Sequence, residues 1–284
     1  MKQQNMTPFL NILISTYNDR IYQVRDVLLE PRPDVTYIIS HQYTDDAYKT
    51  IPTELLRNDI AVFQLFGKGV TKSRNNVINL SNAPVSLFSD DDVKYTNEYL
   101  DTIIHRFKSD ASIDVALFKI KTPEGCPEYK QYPSLPTHLT NKKLPFSVGT
   151  IEIAFRTESV KKKNVLFDER FGAGQPLLIG GDESIFITDC IKHNLNVWFF
   201  PEYIVEHPFE SSIQLIPTFD KKRVAVMGAS DARINGLMAI PKAFYLTIRL
   251  YPLLRKNRKK PLEFLRERLS ASMYIYRTNK SRFT

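Results

Sequence analysis

Residues 88–95 read Phe-Ser-Asp-Asp-Asp-Val-Lys-Tyr, so Asp90, Asp91 and Asp92 follow directly on the apolar run Val85–Phe88. Three adjacent carboxylates repel one another unless a cation sits among them. Oxygen donors of this kind suit Mg²⁺ or Mn²⁺, which are commonly held by one or two protein carboxylates while water and substrate phosphates complete the shell. The chemistry this points to is nucleotide-dependent. A solvated acidic turn at a strand end is the plain alternative. A second acidic pair, Asp182-Glu183, follows Gly180-Gly181 at the start of a helical stretch. There the helix dipole favours carboxylates by ~0.3–1 kcal/mol whatever else they do.

The elements that must position these groups alternate between strand and helix. Residues 9–16 form an apolar strand candidate ending in Ser15-Thr16-Tyr17-Asn18-Asp19, and Ile21, Val24, Val27 and Leu28 then share one helical face that Pro31 and Pro33 stop. Strands over Val35–Ser40, Ile60–Phe66 and Val85–Ser89 follow, with a Gly67-Lys68-Gly69 turn and a helix over Thr71–Leu80 between the last two. Thr96 caps a helix that turns Leu100, Ile103, Ile104 and Phe107 inward and leads to a strand over Val115–Ile120. Such alternation predicts an α/β fold with a mostly parallel sheet and a ligand site beyond the carboxyl ends of its strands, where Asn18, His41, Gly67 and Asp90 fall.

Regularity pauses over residues 121–146, whose five prolines favour an irregular loop lying over a pocket or serving as a linker. It resumes at Thr150–Arg156, passes the glycine-rich Gly172-Ala173-Gly174, and continues as a helix from Asp182 to about His193. A short strand over Val197–Phe200 then leads through Pro201 to His207.

At 284 residues with 43% hydrophobic side chains the chain can bury a substantial core, which excludes general disorder. Cys126 and Cys190 have neither metal-ligand spacing nor a disulfide framework, which fits two thiols in a reducing, cytoplasmic setting. Phe9–Ile14 is too short and too interrupted for a signal peptide, and Ala243–Leu254 falls well short of the ~20 apolar residues of a membrane span.

Taken together, these segments resemble the family 2 glycosyltransferases of the GT-A fold over roughly residues 9–210. Ser15-Thr16-Tyr17-Asn18 is similar to that family's first strand end, Gly67 through Arg74-Asn75 to its glycine-to-Arg-Asn segment, and Asp90-Asp91-Asp92 to its Asp-X-Asp motif. Gly181-Asp182-Glu183 and His207 complete the series. The resemblance implies a GT-A catalytic domain over 1–220, with a mixed, mostly parallel sheet, and an inverting, metal-dependent transfer of sugar from a nucleotide donor to a hydroxyl. The acceptor implied is a glycan or a lipid-linked saccharide, in polysaccharide or glycoconjugate synthesis.

On the same resemblance Asp92 and His207 bind Mn²⁺ or Mg²⁺, and Asp90 lies near the ribose or metal with Asp91 in the variable middle position. Thr16, Tyr17, Asn18, Gln42, Gly69 and Arg74 serve the nucleotide. Glu183 is the base that takes the acceptor's proton, with Asp182 one residue away as the other candidate. The second strand departs from the family pattern: His41-Gln42-Tyr43-Thr44 stands where Asp-Asp-Gly-Ser is usual, and Gln42 takes the base-recognising position. Its amide both donates and accepts, which still suits a uracil edge, and a UDP-sugar is the expected donor, but this departure weakens the choice of UDP over GDP or another nucleotide. A non-catalytic glycan- or membrane-binding protein of the same fold and a metal-dependent nucleotidyltransferase are the alternatives.

The charge is uneven. Residues 221–284 carry 16 Lys/Arg against 3 Asp/Glu, while the rest of the chain is acidic, 23 against 28. This pattern argues against a nucleic-acid-binding body and sets 221–284 apart as a basic helical extension with an anionic partner of its own. A helix over Pro241–Leu254, the run Arg255–Lys260, and a second helix with Leu262, Leu265, Leu269, Met273 and Tyr276 in one stripe give 241–276 the character of a surface that docks on anionic lipid at the inner membrane face. Packing on the catalytic domain and homo-oligomerisation compete with that reading.

Overall fold

The computed structural model describes residues 8–140, 144–209 and 216–279. It divides into two compact units: a sheet unit of residues up to 167 together with 186–209, and a helical unit of 168–185 together with the described residues from 216 onward.

In the sheet unit the described strands are β1 Leu10–Tyr17, β2 Val35–Tyr43, β3 Ile60–Phe66, β4 Val85–Ser89, β5 Val115–Lys121, β6 Thr137–His138, β7 Ile153–Arg156 and β8 Val197–Glu206. They form one mixed sheet in the order β3-β2-β1-β4-β7-β5-β8-β6. β3, β2, β1 and β4 are mutually parallel, as are β5 and β8, whereas β7 runs antiparallel to both its neighbours. Helices α1 Val70–Leu80, α2 Asn97–Ser109 and α3 Thr157–Lys162 connect them, and α4 Asp182–Lys192 begins in the helical unit and ends in the sheet unit.

The alternation of apolar residues in β1 explains the two cores. Leu10, Ile12 and Ile14 face a cluster containing Leu100, Ile103 and Phe107 of α2, while Leu13 turns to the other side with Val77, Ile78, Phe88 and Phe186. Asn11 looks like a break in that run, yet it is fully buried. Its Nδ2 donates to Thr36 Oγ1 at 2.6 Å, and its Oδ1 accepts the backbone N–H groups of Asn82 and Ala83, which sets the entry into β4.

Several elements differ from the sequence-based expectation. The stretch after β1 is a 3-10 helix, Asn18–Asp26, entered through Asn18 at φ 51°. β8 does not stop at Phe200 but continues to Glu206. Its pairing passes from Leu117–Phe199 to Lys119–Tyr203, so two residues of β5 oppose four of β8 and Pro201, which has no N–H to donate, lies within that bulge. Only Ile153–Arg156 of the expected 150–156 strand is extended, because Thr150–Glu152 forms a 3-10 turn.

The helical unit contains α5 Lys221–Asn235, α6 Ala239–Arg249, α7 Tyr251–Lys256 and α8 Pro261–Asn279. The expected single helix over 241–254 is broken at Leu250, where Pro252 begins a new first turn. The apolar stripe expected on α8 is not the face that the helix buries. Leu262 and Met273 are exposed, and the buried face is Phe264, Arg268, Ala271, Ser272 and Ile275. α5 packs on that face through Ala225, Gly228, Ala229 and Ala232, small residues that let the two backbones approach closely. Arg268 is tolerated inside because Asp231 of α5 pairs with it. Among the described residues no helix is long and apolar enough to cross a membrane.

Candidate active site

The parallel register decides which residues meet. Ile14 pairs with Ser89, and Thr16 and Tyr17 pair with His41 and Gln42, so the carboxyl ends of β2, β1 and β4 lie side by side with Asp90–Asp92 following directly from β4. β1 has β2 on one side and β4 on the other, the switch in strand order at which open α/β sheets bind ligands.

The three aspartates have three different environments. Asp91 is buried. It accepts the Thr16 hydroxyl proton at 2.6 Å and takes Arg20 Nε at 2.9 and 3.0 Å on its two oxygens. Arg20 Nη2 extends from Asp91 to Asp92 Oδ2 at 2.8 Å. Asp90, half-exposed, lies 3.4 Å from Nη2 of Arg74. Asp92 is 42% exposed, and its other oxygen is 3.6 Å from Nε2 of His207. His207 and Arg20 together hold the Asp92 carboxyl down to about 2, against the opposing effect of burial. Burial works against charge on His207, but Asp92 and the Pro208 carbonyl outweigh it and the net shift is upward.

Local structure fixes these groups. Gly67 and Gly69 adopt φ 118° and 124°, a region that side-chain-bearing residues rarely enter, and Gly69 then caps α1. α1 carries Arg74 to Asp90. Arg74 also lies over the Phe167 ring at 5.5 Å, and the neighbouring Asn75 clasps the Phe167 backbone from both sides, donating to its carbonyl at 3.1 Å and accepting its N–H at 2.8 Å. At the other end, Lys94 and Glu206 form an antiparallel bridge that brings β8, and so His207, beside the acidic segment.

Asn18 and His41 act as a turn clamp. His41 is fully buried, its Nε2–H donates to the Asn18 carbonyl at 2.9 Å and its Nδ1 accepts from Gln64, while Asn18 Oδ1 accepts the Thr44 N–H at 3.1 Å. Burial lowers the His41 pKa, which keeps it the neutral tautomer this network requires. The Tyr17 hydroxyl shares a hydrogen with Thr44 at 2.8 Å. Gln42 is buried at this strand end, and its Nε2 has no hydrogen-bond partner among the described residues. A buried amide donor without a partner is costly unless a ligand supplies an acceptor.

The proline-rich segment is anchored to the same unit. Glu152, fully buried, accepts from the Tyr132 hydroxyl and from Lys130 Nζ at 2.9 Å, and Tyr129 sets its ring edge-on to His207 with centroids 5.7 Å apart. Asp182 and Glu183 belong to the helical unit, where they open α4 after Gly181 at φ 87°. Asp182 is buried and Glu183 partly so.

Arg20 and Tyr129 were not singled out in the sequence. Arg20 had a legible signal, since a triplet of aspartates needs a cation and the segment after β1 carries one. The donor set also bears on a divalent ion. His207 Nδ1 donates to the Pro208 carbonyl at 2.6 Å, which turns Nε2 and its lone pair toward Asp92 when the ring is neutral. No group of three or more His, Cys, Asp or Glu side chains that could hold a metal exists among the described residues. Two protein donors with water and phosphate oxygens make a fitting shell for Mn²⁺ or Mg²⁺.

The architecture is the GT-A fold followed by C-terminal helices, as the motif series implied. No protein-family model matches the chain, and no curated protein matches it by sequence. Solved structures do match. The chain is similar to S. aureus TarS at 16% identity and a TM-score of 0.53, covering 85% of this chain and 43% of that one. It is similar to residues 1–349 of TarS, in a complex with UDP-GlcNAc, at 16% identity and a TM-score of 0.55, over 79% of this chain and 66% of that one. It is also similar to the mannosyltransferase PcManGT from Pyrobaculum calidifontis, in a complex with GDP-Man and Mn²⁺, at 11% identity and a TM-score of 0.51, over 96% and 75%. This chain therefore spans less than half the length of the longer TarS chain, and at these identities the likeness is one of fold.

Proposed function

We propose that the protein is an inverting, metal-dependent glycosyltransferase that moves a sugar from a nucleotide donor to a hydroxyl of a glycan or lipid-linked saccharide. The observation that carries this reading is the placement of Asp92 opposite His207 at the carboxyl ends of β1 and β4, with Arg20 and Arg74 supplying positive charge beside them. Solved structures of the same fold with UDP-GlcNAc, or with GDP-Man and Mn²⁺, support it.

In this reading the nucleotide base lies against the β1 and β2 ends, where the Gln42 amide donates to a base carbonyl, which uracil and guanine both offer; UDP is the first nucleotide to test and GDP the second. Asp92 and His207 hold the divalent ion, with Asp90 near the ribose. Bound there, the ion supplies Lewis-acid stabilisation of the leaving diphosphate's charge. Arg74 steadies Asp90. Glu183 accepts the acceptor's hydroxyl proton as that oxygen bonds to the anomeric carbon, and the bond from that carbon to the diphosphate oxygen breaks, releasing nucleoside diphosphate. Asp182 is the alternative base.

The test is a panel of nucleotide sugars with Mn²⁺ and Mg²⁺, read by thermal stabilisation and by product analysis. Expected are stabilisation by UDP with Mn²⁺, its loss in Asp92→Asn, and release of nucleoside diphosphate with the sugar transferred. Release of pyrophosphate would identify a nucleotidyltransferase instead. A specific observation favours a second reading, a binding module without turnover: Arg20 pairs with both Asp91 and Asp92 and so competes with a cation for them. Nucleotide binding with no product from any donor would favour that module.

A further inference from the structure

α6 is buried through little more than Ala239 and Ala243, yet the rest of its surface is not polar. Leu237, Met238, Phe244, Tyr245, Ile248 and Tyr251 are all exposed, Leu237 at 72% and Ile248 at 76%. Within the helix Phe244, Tyr245 and Ile248 stand at spacings of one, three and four residues. These three therefore share one face of α6, and Leu237 and Met238 before the helix and Tyr251 at the start of the next are exposed as well. Scattered exposed apolar residues need no explanation, but a strip of aromatic and aliphatic side chains along one short helix does.

The charge around the strip selects its occupant. From 237 to 260 the sequence has seven Lys/Arg and no Asp/Glu. Lys242 is engaged by Asp231, and Lys259 by Glu263 and Glu267. Arg249, Arg255, Lys256, Arg258 and Lys260 are exposed and appear in none of the ion pairs described for this unit. A second copy of this face would oppose like charges. Base recognition gains little from Ile, Leu and Met side chains. Aromatic and aliphatic side chains flanked by cations on a helix lying flat match the boundary between lipid headgroups and acyl chains.

We propose that the α6–α7 face docks on an anionic lipid surface, with the strip entering the headgroup boundary and the 249–260 cations paired with lipid phosphates. This face is the α6–α7 part of the 241–276 expected from sequence, while α8 packs its buried face on α5. It lies apart from the Asp90–Asp92 cluster in sequence and stands whether or not the transferase reading does.

Flotation of the full chain with phosphatidylglycerol-containing and pure phosphatidylcholine vesicles, at low and high salt, tests it. Expected is binding to the anionic vesicles at low salt that high salt weakens, with about fivefold loss for each of Arg255→Gln and Lys256→Gln. Ile248→Glu should lose about tenfold or more, while far-UV circular dichroism and Tm stay those of the wild type because the side chain is exposed. Failure to bind anionic vesicles at low salt overturns the proposal. So does equal binding to both vesicle types that is insensitive to Arg255→Gln and Lys256→Gln. Self-association abolished by Ile248→Glu, or RNA binding, with no vesicle binding would assign the face to a second copy or to nucleic acid and equally reject lipid.

Discussion

Arg20 grips Asp91 with its Nε at 2.9 and 3.0 Å from the two carboxylate oxygens, and then reaches Asp92 with Nη2 at 2.8 Å. One guanidinium thus meets the need created by adjacent aspartates, and it does so for the buried member first. The Asp91 side chain is 4% exposed and Arg20 44%, so the partner that would suffer from separation is the aspartate. Arg20→Gln leaves Asp91 with Thr16 as its described side-chain partner. The expected cost is about 1.5–3 kcal/mol, the range for hydrogen bonds to a charged group, read by urea denaturation. The same variant removes a competitor from Asp92, so Mn²⁺ titrated without nucleotide should bind more tightly. An unchanged denaturation midpoint would mean that this pairing contributes nothing to the fold.

Glu183 and Asp182 differ in burial, and that separates their variants. Glu183→Gln is expected to lower turnover by ~10²–10⁴-fold, the usual contribution of a general base, while UDP binding measured calorimetrically stays within about twofold of wild type. Asp182→Asn, at a buried helix start, should act first on Tm. If Asp182→Asn abolishes turnover at wild-type Tm and Glu183→Gln does not, the base is Asp182.

Gly228 of α5 faces the Arg268 backbone so closely that an added Cβ would lie 2.4 Å from the Arg268 carbonyl oxygen and 2.7 Å from its Cα. Backbone cannot yield as the tip of a side chain does. Gly228→Ala must therefore push α5 from α8, at about 1–3 kcal/mol or more for overpacking. That corresponds to a Tm lower by ~3–10 °C. An alanine variant with wild-type Tm would show that the helices separate without cost.

Residue types and periods made the α/β alternation, the acidic cluster and the glycine turn legible. The parallel strands at the site are apolar runs bounded by turn residues, and an Asp triplet after such a run has few uses. Other features were hidden for definite reasons. Apart from Val224 the inward face of α5 is Ala and Gly, which leaves little apolar stripe to read, and its partner face on α8 contains Arg268, a residue that pattern reading assigns to solvent. Pro201 looked like a strand end because the β8 bulge that admits it shows only in the pairing of β8 with β5. The role of Arg20 depends on a contact between residues 71 apart in sequence, set by the β1–β4 register.

Asp168 is the acid centre of the helical unit. Its carboxylate, with a side chain fully buried, takes Arg170 Nε at 2.8 Å and Arg233 Nε of α5 at 2.9 Å, and Arg170 continues to the Thr278 hydroxyl of α8 at 2.6 Å. Burial alone would raise the Asp168 pKa. The hydrogen bonds and charge of Arg170, with Arg233 behind them, outweigh it and hold the carboxyl below its ordinary value. A carboxylate depressed by folding contributes stability above its unfolded pKa of ~3.9 and loses that contribution as pH falls through the lower folded value. Asp168→Asn, which leaves two guanidinium groups without their common partner, should cost about 3–5 kcal/mol at neutral pH. The stability gap between wild type and Asp168→Asn should be constant above about pH 5 and shrink on acidification below it, as wild type loses what the variant never had. Chemical denaturation from pH 7 downward checks the sign: a gap that widens on acidification would place the Asp168 pKa above its unfolded value and reject this account of the 168–170 turn.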